Sequence, residues 1–160
     1  MNKIALFPGS FDPFTLGHLD ILKSALMLFD KIVIGIGYNV SKTGFFSIEE
    51  RMDIVRQSVK NIENVSIECY RGLTIDFCKS INAHFIVRGL RTTTDFELER
   101  VVAQANSKMA PDIISVFIPS GTEYSFISST VVRDLIANGG DITPFMAEGV
   151  IINKETDNVR

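Results

Sequence analysis

Short apolar runs alternate with helical periodicities along the whole chain. Runs rich in β-branched and aromatic residues stand at 3–7 (KIALF), 31–37 (KIVIGIG), 64–69 (NVSIEC), 84–88 (HFIVR) and 113–118 (IISVFI). Each has the length of a strand, and the segments between them read differently. Leu19, Leu22, Leu26 and Phe29 recur at spacings of three, four and three, and Ile48, Met52, Val55 and Val59 at four, three and four. Such spacings line one face of a helix. Ser47 and Glu50 add a capping-box signature at the start of the second helix. A third helix is predicted over 74–83, with Phe77 and Ile81 on one face, and a fourth from Asp95 to Met109. A last sizeable helix begins near Ser129 and stops at Gly139, a residue suited to a left-handed cap. Pro144 suits the start of a short further helix.

Five strands with intervening helices predict an α/β fold with a doubly wound parallel sheet. With the first strand central, the chain winds outward through strands two and three and then returns to lay strand four beside strand one. Ligands in such sheets bind at the carboxyl ends of the strands that border this switch point. Unusual residues should therefore gather after strands one and four, and they do.

Composition narrows the class. The length of 160 residues predicts one domain, 1–160, and an apolar content of 46% fits an ordinary globular chain. Sixteen Lys plus Arg against nineteen Asp plus Glu leave a net charge of -3. That balance argues against a nucleic-acid partner, so any polyanion must be held by a few local cations. Cys69 and Cys78 show no metal-ligand spacing and fit a reduced, cytoplasmic protein. The N-terminal apolar stretch stops at Pro8, too short for a signal segment, and no run has the length of a membrane span. No metal site of the chain's own is predicted.

Three segments carry candidate chemistry. After the first strand comes Pro8-Gly9-Ser10-Phe11-Asp12-Pro13-Phe14-Thr15-Leu16-Gly17-His18. Its prolines stiffen the loop, and Gly17 and His18 open a helix. The free N–H groups and dipole of that helix favour phosphate, to which His18 can donate a further hydrogen bond. After the fourth strand comes Arg88-Gly89-Leu90-Arg91, whose two guanidiniums can face a shared polyanion with bidentate geometry. After the fifth, Tyr124-Ser125-Phe126-Ile127-Ser128-Ser129-Thr130 leads into a helix carrying Arg133. Capping accounts well for one of its three hydroxyls at the helix start and poorly for all three.

Other patterns fall away. Gly35 and Gly37 begin a G-x-G, but Val40 stands where a dinucleotide fingerprint needs its third glycine. Lys42-Thr43 ends like a P-loop, yet Ser41 and Ile36 occupy its glycine positions. His84 has no neighbouring ligand pattern and reads as structural.

The pattern G-S-F-D-P-x-T-x-G-H resembles the signature of the nucleotidyltransferase superfamily related to class I aminoacyl-tRNA synthetases. Thr15 is the variant typical of its phosphopantetheine adenylyltransferases. R-G-L-R followed by D-F-E, and I-S-S-T-x-x-R, resemble further segments of the same family. The resemblance runs over nearly the whole chain and weakens across the last ten residues or so. It implies a Rossmann-like nucleotidyltransferase fold, transfer of AMP from ATP to 4′-phosphopantetheine, magnesium carried mainly on the ATP phosphates, and a homohexamer.

The resemblance also implies roles. The catalytic set is His18, acting on the α-phosphate, with Lys42 and Arg91. Ser10, Lys42 and Arg88 would place the acceptor phosphate, Lys42 through the family's S-K motif, and Thr74 would contact the pantetheine arm. ATP would be bound by Ser10, Phe11, His18, Gly89, Leu90, Arg91, Glu99 and the run from Tyr124 through Ser125, Phe126, Ile127, Ser128 and Ser129 to Thr130. Leu98 departs from the aromatic residue the family carries beside Glu99. Two alternatives stay open: a related nucleotidyltransferase acting on nicotinamide mononucleotide or a polyol phosphate with ATP or CTP, and a non-catalytic ATP-binding regulator. Thr15, R-G-L-R and the short length speak against the first, and intact His18 and Lys42 against the second.

Overall fold

A computed structural model describes residues 2–153; positions 1 and 154–160 of the predicted 1–160 domain lie outside the described residues. Five parallel strands, β1 (Ile4–Gly9), β2 (Lys31–Gly37), β3 (Val65–Tyr70), β4 (Phe85–Leu90) and β5 (Ile114–Pro119), lie in the order β3-β2-β1-β4-β5. This is the predicted doubly wound sheet, with its switch point between β1 and β4. Helices α1 (Leu16–Leu26), α2 (Ile48–Val59), α3 (Thr74–Ser80), α4 (Thr93–Met109) and α5 (Ser129–Ala137) fill the crossovers, and a 3-10 turn at Thr143–Phe145 carries Pro144.

Alternation along the central strands sends side chains into two cores. Ala5 and Phe7 join a larger one with Leu19, Leu22, Ile54, Val55 and Val132 from α1, α2 and α5. Leu6, Val33 and Ile86 point the other way, onto Ile75 and Cys78 of α3. Each fully buried Leu, Ile or Val here contributes about 1.5–3 kcal/mol by leaving water. Burial also pushes the Cys78 thiol up to about 11, which makes it an inert core residue.

Several boundaries differ from the predicted ones, for local reasons. α4 begins at Thr93 rather than Asp95, because Thr92 is the cap and Asp95 its box partner: Thr92 Oγ1 accepts the Asp95 N–H at 3.1 Å. α3 ends at Ser80 rather than 83, since Asn82 turns left-handed with φ 53°. α5 stops as predicted, with Gly139 at φ 70°. His84 is exposed, with Nδ1 3.4 Å from the Asp112 carbonyl.

Most important for function, β1 continues through Pro8 to Gly9, beyond the predicted 3–7, and β4 continues to Leu90, beyond the predicted 84–88. The two strands pair only at Ala5–Phe85 and Leu6–Ile86, whereas β1 and β2 stay paired as far as Gly9–Ile36. Beyond Leu6 the sheet is therefore split at the switch point. Pro8 fits this split: its carbonyl faces β4, and the N–H it lacks would have faced a strand no longer in register.

Candidate active site

Three cavities open at the carboxyl ends of the strands, and all three touch Ser10. The first, about 350 Å³, is lined by His18, Arg88, Arg91 and the start of α5. It also takes in Ser10, Phe11, Gly89, Glu99, Ile127, Ser128, Ser129, Thr130 and Arg133. The second, about 580 Å³, is lined by Lys42 with Tyr38, Arg51 and Tyr70. The third, about 310 Å³, holds Thr74, Arg88, Glu99 and Asn106. Lys42 and Thr74 thus line neighbouring cavities rather than the first. Leu90, Tyr124, Ser125 and Phe126 line none of the three; the Phe126 ring is exposed and lies edge-on to Phe145, with centroids 6.3 Å apart.

His18 sits at the third position of α1 and turns its ring back on the helix cap. Nδ1 accepts the backbone N–H of Thr15 at 3.0 Å and lies 3.2 Å from the Thr15 hydroxyl. A backbone N–H can only donate, so Nδ1 is unprotonated and the proton of the neutral ring resides on Nε2. Phe11, Phe14 and Phe7 pack around the imidazole at centroid distances of 5.0, 5.3 and 6.4 Å. Burial, with further push from the charges of Arg91 and Arg88, lowers the His18 pKa from 6.5 to about 4. The ring is thus a neutral hydrogen-bond donor at physiological pH. Phe11, with φ 45°, is itself only 2% exposed and belongs to this aromatic wall.

Arg88 bridges the split in the sheet. Its Nη1 donates to the Pro8 carbonyl at 2.6 Å, while Nε and Nη2 grip Glu99 of α4 at 2.9 and 2.6 Å. Glu99 therefore acts first as the bidentate partner that aims Arg88. Arg91 pairs with Asp95 at 3.3 Å. Burial pushes the Asp95 carboxyl up, but hydrogen bonds and charge from Arg91 and the Thr92 N–H outweigh it and hold it below the usual range. Gly89 is required by packing: a Cβ there would stand 2.8 Å from Ile21 Cγ1 of α1.

The start of α5 docks on the first loop. Ser129 Oγ donates to the Pro13 carbonyl at 2.7 Å, and Arg133 Nη1 donates to the Asp12 carbonyl at 2.8 Å. Ser128 caps the helix by accepting the Val131 N–H, and Thr130 Oγ1 accepts from Arg133 Nη2. Each hydroxyl thus has a distinct internal task. The N–H groups of Ser129 and Thr130 keep no acceptor among the described residues, and they join the positive end of α1 in facing one crevice.

One organising pair joins a residue of the first motif to one outside every motif. Asp12 and Arg51 form a buried ion pair at 3.4 Å. Its signal was available, because position 51 falls three after Ile48 and four before Val55, on the apolar face of α2. A charge there needs a buried partner.

Two helix starts, a neutral histidine donor and two aimed arginines around a split in a doubly wound sheet form a crevice whose donors and charges suit phosphate groups. A family model described as cytidylyltransferase-like matches residues 6–135, so fold and site define a nucleotidyltransferase. A structure from Vibrio parahaemolyticus superposes with a TM-score of 0.71 at 21% identity, covering 94% of this chain and 96% of its own. A bifunctional NMN adenylyltransferase/ADP ribose pyrophosphatase from Francisella tularensis gives 0.69 at 20% identity over 91% of this chain, which spans 45% of that longer protein. Both establish the fold. The phosphopantetheine adenylyltransferase of Christiangramia forsetii is 50% identical, covering 95% of this chain and 99% of the relative. That of Lachnoclostridium phytofermentans is 45% identical, covering 93% and 91%. The chain belongs to the phosphopantetheine adenylyltransferase family.

Proposed function

We propose that this protein transfers AMP from ATP to 4′-phosphopantetheine, giving dephospho-coenzyme A and pyrophosphate in coenzyme A biosynthesis. The observation that carries the assignment is the meeting of two cation-lined cavities at Ser10, one with His18 and Arg91, the other with Lys42. A donor triphosphate and an acceptor phosphate need this arrangement if their reacting atoms are to meet.

The acceptor phosphate oxygen attacks the α-phosphorus, and the bond to the bridging α–β oxygen breaks as pyrophosphate leaves. The attacking oxygen is already anionic, so the step requires no general base. Catalysis then consists of positioning and charge stabilisation. Nε2–H of His18 would donate to the α-phosphate, Arg91 and the α5 N-terminus would hold the β- and γ-phosphates, and Lys42, Ser10 and Arg88 the acceptor phosphate, with Thr74 beside the pantetheine arm.

Magnesium belongs to this scheme as part of the ATP substrate. Asp95 and Glu99, the carboxylates lining the first cavity, are engaged by Arg91 and Arg88. No group of three metal-ligating side chains occurs among the described residues, so ATP oxygens and water would supply the coordination. A homohexamer acting in the cytoplasm completes the proposal. In its support, no helix among the described residues is long and apolar enough to cross a membrane, and α4 exposes Leu98, Val101 and Val102.

The test is pyrophosphate release with ATP or CTP against a panel of acceptors. ATP with 4′-phosphopantetheine should react, and pantetheine without its phosphate should be nearly inert. Equal turnover with nicotinamide mononucleotide would replace the proposal with the related nucleotidyltransferase.

A further inference from the structure

The Asp12–Arg51 pair ties together the backbone segments that carry residues assigned to both substrates. Both side chains are withdrawn from solvent, with Asp12 at 7% and Arg51 at 6% exposure. The Asp12 carboxylate accepts the N–H groups of Phe45 and Phe46, each at 2.8 Å. Arg51 Nε donates to the Phe46 carbonyl at 2.9 Å, and its Nη1 to the Ser10 carbonyl at 3.2 Å. Gly44 crosses the same guanidinium so closely that a Cβ there would stand 1.4 Å from Nη2. Arg133 of α5 completes the junction through the Asp12 carbonyl, at 2.8 Å.

Lys42 lies two residues before Gly44. Its side chain forms no ion pair or hydrogen bond among the described residues, and its backbone N–H donates to the Asn39 carbonyl at 3.0 Å. The place of its ammonium therefore follows from the path of the loop. A guanidinium fork fixes direction as well as distance. A buried ion pair adds little net stability beyond its own desolvation, so its effect here is geometric.

We propose that Arg51 and Asp12 are positioning residues for the acceptor: they hold Ser10 and the Lys42 loop at a fixed separation, so that Lys42 presents the acceptor phosphate to the α-phosphorus. The coupling rests on the acceptor-site assignment made above. It requires no contact between Arg51 and substrate.

Gly44→Ala is the informative variant. Gly44 is exposed and its φ lies outside the left-handed region, so alanine adds a methyl against the Arg51 guanidinium and the Asp12 carboxylate, the two members of the pair, without backbone strain. Gly44→Ala and Arg51→Lys should each raise KM for 4′-phosphopantetheine at least tenfold, with the Kd for ATP within twofold of wild type and native circular dichroism. In a Lys42→Ala background, Gly44→Ala should add less than twofold to the acceptor KM, because the effect passes through Lys42. An unchanged acceptor KM in Gly44→Ala, an equal loss of ATP affinity, or full multiplicativity with Lys42→Ala would overturn the coupling. A wild-type acceptor KM in Lys42→Ala itself would overturn the acceptor-site assignment, and the coupling with it.

Discussion

His18 Nδ1 accepts the backbone N–H of Thr15 at 3.0 Å, and this one bond decides what the imidazole can do. It satisfies an orphan donor at the start of α1 and commits the ring proton to Nε2, the nitrogen left for a ligand. Capping occupies one end of the ring, and the proposed chemistry the other.

His18→Ala should separate them. Removing one preorganised donor from a charge-developing phosphate costs about 10²–10³ in rate, or about 3–4 kcal/mol. ATP affinity should change little, since a bond that strengthens in the transition state appears in kcat. Measuring kcat, ATP Kd and melting temperature on one preparation checks this. A variant that melts early but turns over normally per folded molecule would leave His18 a capping residue only.

The lowered pKa of His18 gives a pH signature. Between about 6.5 and about 4 the unfolded chain holds a proton on this residue that the folded chain does not. Stability should therefore fall as pH drops through that window and level off below it. The shift corresponds to about 3 kcal/mol at most. Denaturant titrations from pH 7.5 to 4 on wild type and His18→Gln should show the difference, with the variant's curve flatter. By the same reasoning the His18 limb of kcat/KM should lie near 4 and not near 6.5.

Lys42→Ala should weaken the acceptor far more than ATP. Loss of a charge-assisted hydrogen bond costs about 1.5–3 kcal/mol, one to two decades in affinity. Calorimetric titration of each ligand reads this directly, and a loss confined to ATP would show that the two phosphate sites are exchanged.

Gly89→Ala tests packing at the switch point. The added methyl meets Ile21 Cγ1 at 2.8 Å, a methylene next to the branched Cβ whose stiff χ1 resists moving it away. Overpacking of this kind costs about 1–3 kcal/mol. Melting temperature should fall by several degrees, and Ile21→Ala in the same molecule should cost less than it does alone. Strict additivity would mean that Gly89 is required for another reason.

Much of the fold was legible because side-chain direction is a local property. Short apolar runs placed all five strands, helical spacings with capping residues placed five helices, and the sheet order follows once the first strand is taken as central. The helix starts at Gly17-His18 and Ser128-Ser129-Thr130 could be located for the same reason, and backbone geometry there favours anions. Tertiary structure alone decided which polar groups meet. Arg88 reaches a carbonyl 80 residues away at Pro8, and Asp12 reaches N–H groups 33 and 34 residues away. No period in the chain encodes such separations. The early end of β1–β4 pairing after Leu6 is likewise a property of two strands together, and it opens the crevice. Sequence supplied the chemistry of each segment, while packing fixed the distances at which that chemistry operates.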